Sequence, residues 1–313
     1  MIEVVEPGAL TSVQTAGGRL GWRHLGVPVG GAVDPWSARL ANRLVDNPDD
    51  APLLEATLDG PALRFVVPTT VAMAGGDFAA TLDGLPMPLG VGRHARAGSL
   101  LRLRGGRSAR CYVAIGGGID VELMLGSSST DLRTGFGGHH GRALRGGDRL
   151  AVGVSSNRLR RWKGTPPSGP IRIVPGPHAG QVGMSRLASE RWTVGSEADR
   201  TGVRLDGPSL PSRMTEVPSM ALPLGAIQVP PDGRPIVMLA DRPVTGGYPV
   251  PACVIRADIG RVAQLRAGDG VTFAPVSIPE ALDALHQREA ALAALDDVQV
   301  PPDDELGWIG ALE

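Results

Sequence analysis

The sequence predicts a mainly β protein: two linked β-barrel domains, a few short helices and a C-terminal helix. Three features carry that expectation. Apolar or alternating runs of about five residues recur between turn dipeptides, as in small sandwiches and barrels. A polar, basic, Pro- and Gly-rich stretch near 155–170 lacks any apolar period and divides the chain. On either side of it lies a weak repeat. Leu144-Arg145-Gly146-Gly147-Asp148-Arg149-Leu150 matches Leu265-Arg266-Ala267-Gly268-Asp269-Gly270-Val271, with a shorter cousin in Arg96-Ala97-Gly98-Ser99-Leu100. The expected boundaries are 1–158 for an N-terminal barrel, 159–167 for a linker, 168–278 for a C-terminal barrel and 279–313 for a terminal helix and tail.

The elements follow in order. Leu63–Val67, Thr70–Ala74, Phe78–Leu82 and Leu100–Arg104 read as short strands. Asp83-Gly84 suits a tight hairpin, whose two central positions need positive φ. Asp34 caps a first helix with Pro35 at its first position; Trp36, Leu40 and Leu44 form its apolar stripe, and Asn47-Pro48 ends it. Ser277-Ile278-Pro279-Glu280 is a capping box opening a second helix, with Leu282, Leu285, Leu292 and Leu295 on its apolar face. Such a helix packs on its own domain or meets a partner protein.

Composition narrows the chemistry. The chain has 313 residues, enough for two modest cores. Its 44 glycines and 28 prolines favour turns over long helices. A net charge of −1 favours neither nucleic acid nor an anionic membrane as partner. No signal peptide and no apolar run of roughly 18 residues is visible, so the expected location is the cytoplasm. Cys111 and Cys253 sit in apolar runs and read as buried free thiols. The histidines form no metal site; the neighbours His139 and His140 should point to opposite faces. Lys163 is the only lysine, and it lies in a segment that reads as a solvated linker. The chain therefore has no Walker-type Gly-Lys-Ser/Thr loop and no other lysine to carry biotin or a Schiff base.

Three stretches carry more polar groups than turns require. The first runs through Gly117-Gly118, Ser127-Ser128-Ser129-Thr130 and Arg142, a candidate anion-binding loop of small residues and hydroxyls. Its plain alternative is a loop tying the barrel together. The second holds Arg200 and Arg204, whose guanidinium forks could grip a substrate carboxylate or phosphate, or simply pair with Asp199 or Asp206. The third joins Gln228 to Asp241 and Thr245-Gly246-Gly247-Tyr248 at strand ends. This is what an amide pocket would use, with Gln228, Asp241 and Tyr248 as candidate catalytic residues and Thr245, Gly246 and Gly247 as candidate binding residues. Here Gln228 offers a donor and an acceptor, and Asp241 could orient a water. The alternative is turn chemistry around a buried tyrosine.

Residues spread along the chain also resemble one family. They include Thr15-Ala16-Gly17-Gly18-Arg19, Gly31-Ala32-Val33-Asp34, Leu54-Glu55, Gly116-Gly117-Gly118-Ile119, Leu125-Gly126-Ser127-Ser128-Ser129-Thr130, Ile227-Gln228-Val229-Pro230 and Asp241 with Thr245-Gly246-Gly247-Tyr248-Pro249. The family is allophanate hydrolase subunit 2, also described as the C subunit of 5-oxoprolinase, within the biotin-dependent carboxyltransferase-like group. Two stretches depart from its usual pattern: Ser196-Glu197-Ala198-Asp199-Arg200, and Met220-Ala221-Leu222 after Ser219.

The resemblance implies cyclophilin-like barrels and one subunit of an ATP-dependent amidohydrolase, active only with subunit 1 of the same system and often with a third oxoprolinase-type subunit. It implies a small cyclic or linear amide substrate, 5-oxoproline first. ATP is consumed by the complex, at a site on this chain or on a partner. One alternative is a carboxyltransferase half-site for urea or a related amide, with biotin carried by another chain. A further alternative is a non-enzymatic partner of subunit 1 that regulates a kinase.

Overall fold

The computed structural model describes residues 1–211, 214 and 217–298. The expected mainly β architecture is present. In the N-terminal half two sheets face one core. The first has seven strands in the order Ile119–Asp120, Arg149–Val152, Ile2–Glu6, Ala62–Phe65, Leu100–Arg104, Ala79–Leu82, Leu85–Pro86. The second has five: Leu10–Gln14, Leu53–Thr57, Arg110–Ile115, Thr69–Gly75, Arg93–Ala95. Strand alternation explains how the layers form. Cys111, Val113 and Ile115 point into the core between the sheets, while Tyr112 and Ala114 point the other way, onto a helix. A strand covered on both faces reads as the unbroken apolar run seen in the sequence.

That helix, α1, spans Pro35–Leu44. Asp34 caps it as expected, its Oδ1 accepting from the Ser37 amide at 3.1 Å. Ala38, Leu40, Ala41 and Leu44 bury its inner face against the five-stranded sheet. The Asp83-Gly84 hairpin also forms, with φ of 54° and 81° and Leu82 paired with Leu85.

The C-terminal half is one eight-stranded sheet that nearly closes on itself. Its order is Gly270–Val271, Trp192–Val194, Gly202–Asp206, Ile236–Met238, Ala226–Gln228, Ala252–Val254, Ile171–Pro175, Phe273–Pro275. The two edge strands are consecutive in sequence, separated only by Thr272, so the sheet's ends meet. Trp192, Leu205, Ile227, Val237, Ala252 and Phe273 fill the interior. Two short helices complete this half, α2 over Met184–Ser189 and α3 over Ile259–Ala263.

The repeat is a real structural unit. Gly147 and Gly268 have φ of 89° and 90°. Asp148 Oδ2 accepts from the Arg145 amide at 2.8 Å, and Asp269 Oδ2 accepts from the Arg266 amide at 2.7 Å. The cousin repeats the pattern: Gly98 has φ 88°, and Ser99 Oγ accepts from the Arg96 amide at 3.1 Å.

Two expectations need correction. The segment expected to be a solvated linker is an ordered ribbon: Arg160–Arg161 pairs antiparallel with Asp296–Asp297, and Lys163 pairs with Asp296 at 2.8 Å. Leu159 is buried, and Trp162 meets Trp36 edge to face with centroids 5.3 Å apart. Opposite charges and two apolar anchors hold what local composition suggested was loose. The C-terminal helix, α4 over Ile278–Ala293, has the expected capping box but only part of the expected stripe. Leu292 is buried and Leu295 packs against the same core, but Leu282 is 49% exposed and Ala284 is buried in its place. Its end crosses onto α1, where Arg39 grips Glu289 with two bonds of 2.6 and 2.8 Å. The rest of the expected tail, from residue 299 on, lies outside the described residues.

Candidate functional site

A cleft of about 780 Å³ opens between the two halves. Gln228, Asp241, Arg200, Arg204 and Tyr248 line it from the C-terminal barrel; Leu10, Thr57 and Arg110 line it from the N-terminal domain. Of the sequence-predicted residues of the second and third stretches, Arg200, Arg204, Gln228, Asp241 and Tyr248 therefore converge on one place, while Thr245, Gly246 and Gly247 are not among its lining residues. Strand geometry puts them there. Ala226–Gln228 and Ile236–Met238 are neighbours, and Gln228 lies opposite Ile236 at the strand ends. Asp241 follows in the turn after the second of these strands.

Arg200 is the electrostatic centre. It is 6% exposed. Its Nε and Nη2 donate to Asp241 at 2.8 and 3.0 Å, its Nη2 also to the Gly31 carbonyl at 2.7 Å, and its Nη1 to Glu55. Glu55, on the N-terminal strand Leu53–Thr57, accepts in turn from the Val33 amide at 2.9 Å and from the Tyr112 hydroxyl at 2.8 Å. Burial alone would raise the Glu55 carboxyl's pKa, but Arg200 and Arg110, with the Val33 amide and Tyr112, hold it below its ordinary value. Burial also opposes the Arg200 charge; Glu55 and Asp241 outweigh it and raise the pKa. Burial, then the charges of Glu55 and Asp34, push the Tyr112 phenol well up, so it remains a donor.

This geometry revises the expected grip on a carboxylate. The Arg200 fork is taken up by protein acceptors. Arg204 is 53% exposed in its side chain and pairs with Glu197 at 3.0 Å, at the cleft's rim. Asp241 is only 7% exposed, and both its oxygens accept from Arg200, leaving each a lone pair for a further donor.

Gln228 is different. It is 4% exposed, and its Nε2 has no hydrogen-bond partner. Buried side-chain amides are nearly always satisfied, so this amide, buried beside the cleft with no partner, is an unfilled donor. Gly246 leaves room beside it: a Cβ there would lie 2.6 Å from that nitrogen. Thr245–Gly246 forms a short ribbon with Met220–Ala221, and the Gly247 carbonyl accepts from the Val217 amide at 3.1 Å. Tyr248 is 41% exposed at the mouth, so the alternative of a turn around a buried tyrosine does not hold.

The candidate anion loop does not assemble. Gly117 donates to Asn47 Oδ1 at 2.8 Å, and Gly118 closes a turn onto the Ile115 carbonyl at 2.8 Å. Ser127, Ser128, Ser129 and Thr130 are buried. Ser129 Oγ accepts from the Thr15 amide at 3.0 Å, Ser127 Oγ from the Ser129 amide at 3.1 Å, and Thr130 Oγ1 donates to the Val13 carbonyl at 2.9 Å. Arg142 is held by Asp148 through two bonds of 2.7 and 2.8 Å. These groups tie the barrel together. His139 and His140 do not point apart: they sit in a turn with ring centroids 4.2 Å apart. Among the described residues no cluster of His, Cys, Asp and Glu could hold a metal. Cys111 is buried as expected, whereas Cys253 is only partly so.

Sequence reasoning about the site missed the N-terminal side, Glu55, Gly31 and Arg110. One signal for Glu55 was present: a carboxylate in the middle of the apolar run Leu53-Leu54-Glu55-Ala56 must find a buried partner.

Fold and site together define a mainly β protein with a polar cleft between its two halves. The chain belongs to the carboxyltransferase domain, subdomain A and B, family, whose model matches residues 25–275. It is 37% identical over 298 residues to the C subunit of 5-oxoprolinase from Escherichia coli strain K12, covering 92% of this chain and 96% of that relative. It is 34% identical to the urea amidolyase of Lachancea kluyveri, over 94% of this chain but only 18% of that relative. The crystal structure of Kluyveromyces lactis urea carboxylase superposes with a TM-score of 0.85 at 31% identity, covering 93% of this chain and 29% of that one. The chain thus spans nearly all of the bacterial relative and under a third of these two fungal ones.

Proposed function

We propose that this chain is one subunit of an ATP-dependent amidohydrolase complex, acting on a small cyclic or linear amide with 5-oxoproline as the leading substrate. The observation that carries the reading is the buried, unpartnered Gln228 Nε2 donor on a residue that lines the cleft between the two halves. An amide carbonyl would accept from it, and the amide N–H or a water would donate to the free lone pairs of Asp241. Buried, preorganised donors of this kind matter most where a carbonyl oxygen gains charge. Tyr248 would close over the ligand from the mouth. Near-complete coverage of a relative named as the C subunit of 5-oxoprolinase supports the substrate and a multi-subunit assembly.

Lactam cleavage is difficult, and ATP would activate the carbonyl oxygen by phosphorylation. The Gly117–Arg142 region does not fit a nucleotide, because its hydroxyls and its arginine are already committed within the fold. On this reading ATP would be bound by a partner, subunit 1 or a third subunit. A second reading, a carboxyltransferase half-site, is favoured by the similarity to urea amidolyase and urea carboxylase. In that case biotin would be carried by another chain, since Lys163 is the only lysine here and no biotinylation motif surrounds it.

The test is reconstitution. The chain alone should not turn over 5-oxoproline with ATP, whereas the chain with its complementary subunits should. Ordinary turnover by the single chain would reject the subunit assignment. Carboxylation of urea by carboxybiotin, with no lactam cleavage, would favour the second reading.

A further inference from the structure

A second polar centre lies beside the cleft. Four arginines are buried among the described residues: Arg19, Arg110, Arg200 and Arg242. Arg200 and Arg110 face Glu55, and Arg19 feels Asp131 and Asp241. Arg242 has no such neighbour. Its Nε donates to the Leu222 carbonyl at 2.9 Å and its Nη1 to the Leu239 carbonyl at 3.1 Å. Among the described residues no carboxylate pairs with it, and the charge it feels is another cation, Arg23.

Arg23 sits on the single turn Arg23–Leu25 of the N-terminal half and reaches across the domain junction. Its Nη2 donates to the same Leu222 carbonyl at 2.9 Å and to the Val244 carbonyl at 3.0 Å. Two guanidiniums thus converge on one oxygen. Burial first, and Arg23 second, lower the Arg242 pKa to about 10. Like charges gathered in a partly desolvated place repel, and the guanidinium nitrogens that these bonds do not use, Arg23 Nε and Nη1 and Arg242 Nη2, are donors of the kind that bind carboxylate and phosphate oxygens. Leu222 links this centre to the cleft: its side chain packs at Gly246, next to the Gln228 amide, while its carbonyl holds both arginines.

We propose that Arg23 and Arg242 together bind an oxyanion, the carboxylate of a small substrate or a phosphoryl group. The centre takes over the role that Arg200 and Arg204 cannot fill. It also separates candidate ligands, because 5-oxoproline carries a carboxylate and urea does not. The oxyanion assignment stands without the amide reading of the cleft; only the substrate-carboxylate source rests on it.

The experiment titrates the intact chain by calorimetry and thermal melting with three probes: 5-oxoproline, its neutral analogue 2-pyrrolidinone, and inorganic phosphate. Wild type is compared with Arg23→Gln and Arg242→Gln. Arg23 is only half-buried, so Arg23→Gln keeps the test alive if Arg242→Gln fails to fold. We expect at least one of the two anions to bind and raise the melting temperature, and Arg23→Gln to weaken it at least tenfold without changing any binding of 2-pyrrolidinone. If only phosphate behaves so, the source is a phosphoryl group and the oxyanion site stands while the lactam reading weakens. If 5-oxoproline binds wild type and Arg23→Gln equally, the oxyanion proposal is overturned and the cleft reading is untouched. Absence of any anion binding to wild type, with a melting loss in both variants, would make the pair a purely structural carbonyl cap.

Discussion

At the scale of single residues, Gln228 and Asp241 separate two kinds of contribution. Gln228 Nε2 makes no bond in the fold, so Gln228→Leu removes a donor that stabilises nothing. We expect its melting temperature to stay level or rise, by the equivalent of about 1 kcal/mol at most, with turnover of the assembled complex falling roughly a hundredfold. Parallel melting and activity measurements on one sample check this; a large loss of stability would mean that the amide is bonded within the fold. Asp241→Asn is less clean, because it leaves Arg200 with one charged partner instead of two. It should cost both stability and activity. The sequence already pointed to Gln228, Asp241 and Tyr248, since polar groups crowded around glycines at strand ends need a reason to be there. It did not reveal that Arg200 is saturated. That depends on Glu55, 145 residues away, and no local pattern encodes such a distance.

At the scale of elements, the recurring Gly-Asp turn gives the sharpest comparison. Gly147 and Gly268 share nearly the same φ, and a Cβ at either would meet open space. The cost of alanine there is purely conformational. Gly147→Ala and Gly268→Ala should each destabilise by about 1 kcal/mol, and by the same amount within error, in urea unfolding. Unequal costs would show that the two turns are not equivalent. This turn, the Asp83-Gly84 hairpin and the two capped helix starts were legible because their chemistry is contained within four residues. The Arg160–Arg161 ribbon and the buried face of α4 were not. Each is decided by a partner far along the chain, Asp296–Asp297 in one case and α1 in the other.

At the scale of the whole molecule, buried polar contacts join the two halves. Arg200 spans from Asp241 to Glu55, Arg110 donates to the Ala263 carbonyl at 2.5 Å, and Gln264 accepts from the Arg110 amide at 3.0 Å. The halves should therefore unfold together, and Glu55→Gln, which leaves buried Arg110 without its carboxylate and Arg200 with Asp241 alone, should cost about 3–5 kcal/mol. The sign of its pH dependence follows from the lowered Glu55 pKa. The stabilisation is complete above the unfolded carboxyl's value of about 4.3 and is lost as pH falls through the lower folded value. Wild type and Glu55→Gln should thus converge in stability in acid and diverge at neutral pH. The same junction shapes the cleft, so the central claim is one of location. The most direct test is a crystal structure of the reconstituted complex with 5-oxoproline bound. We expect the lactam in the interdomain cleft, with its carbonyl oxygen within hydrogen-bond distance of Gln228 Nε2. A lactam bound wholly on a partner protein, with this cleft filled only by water, would contradict the account.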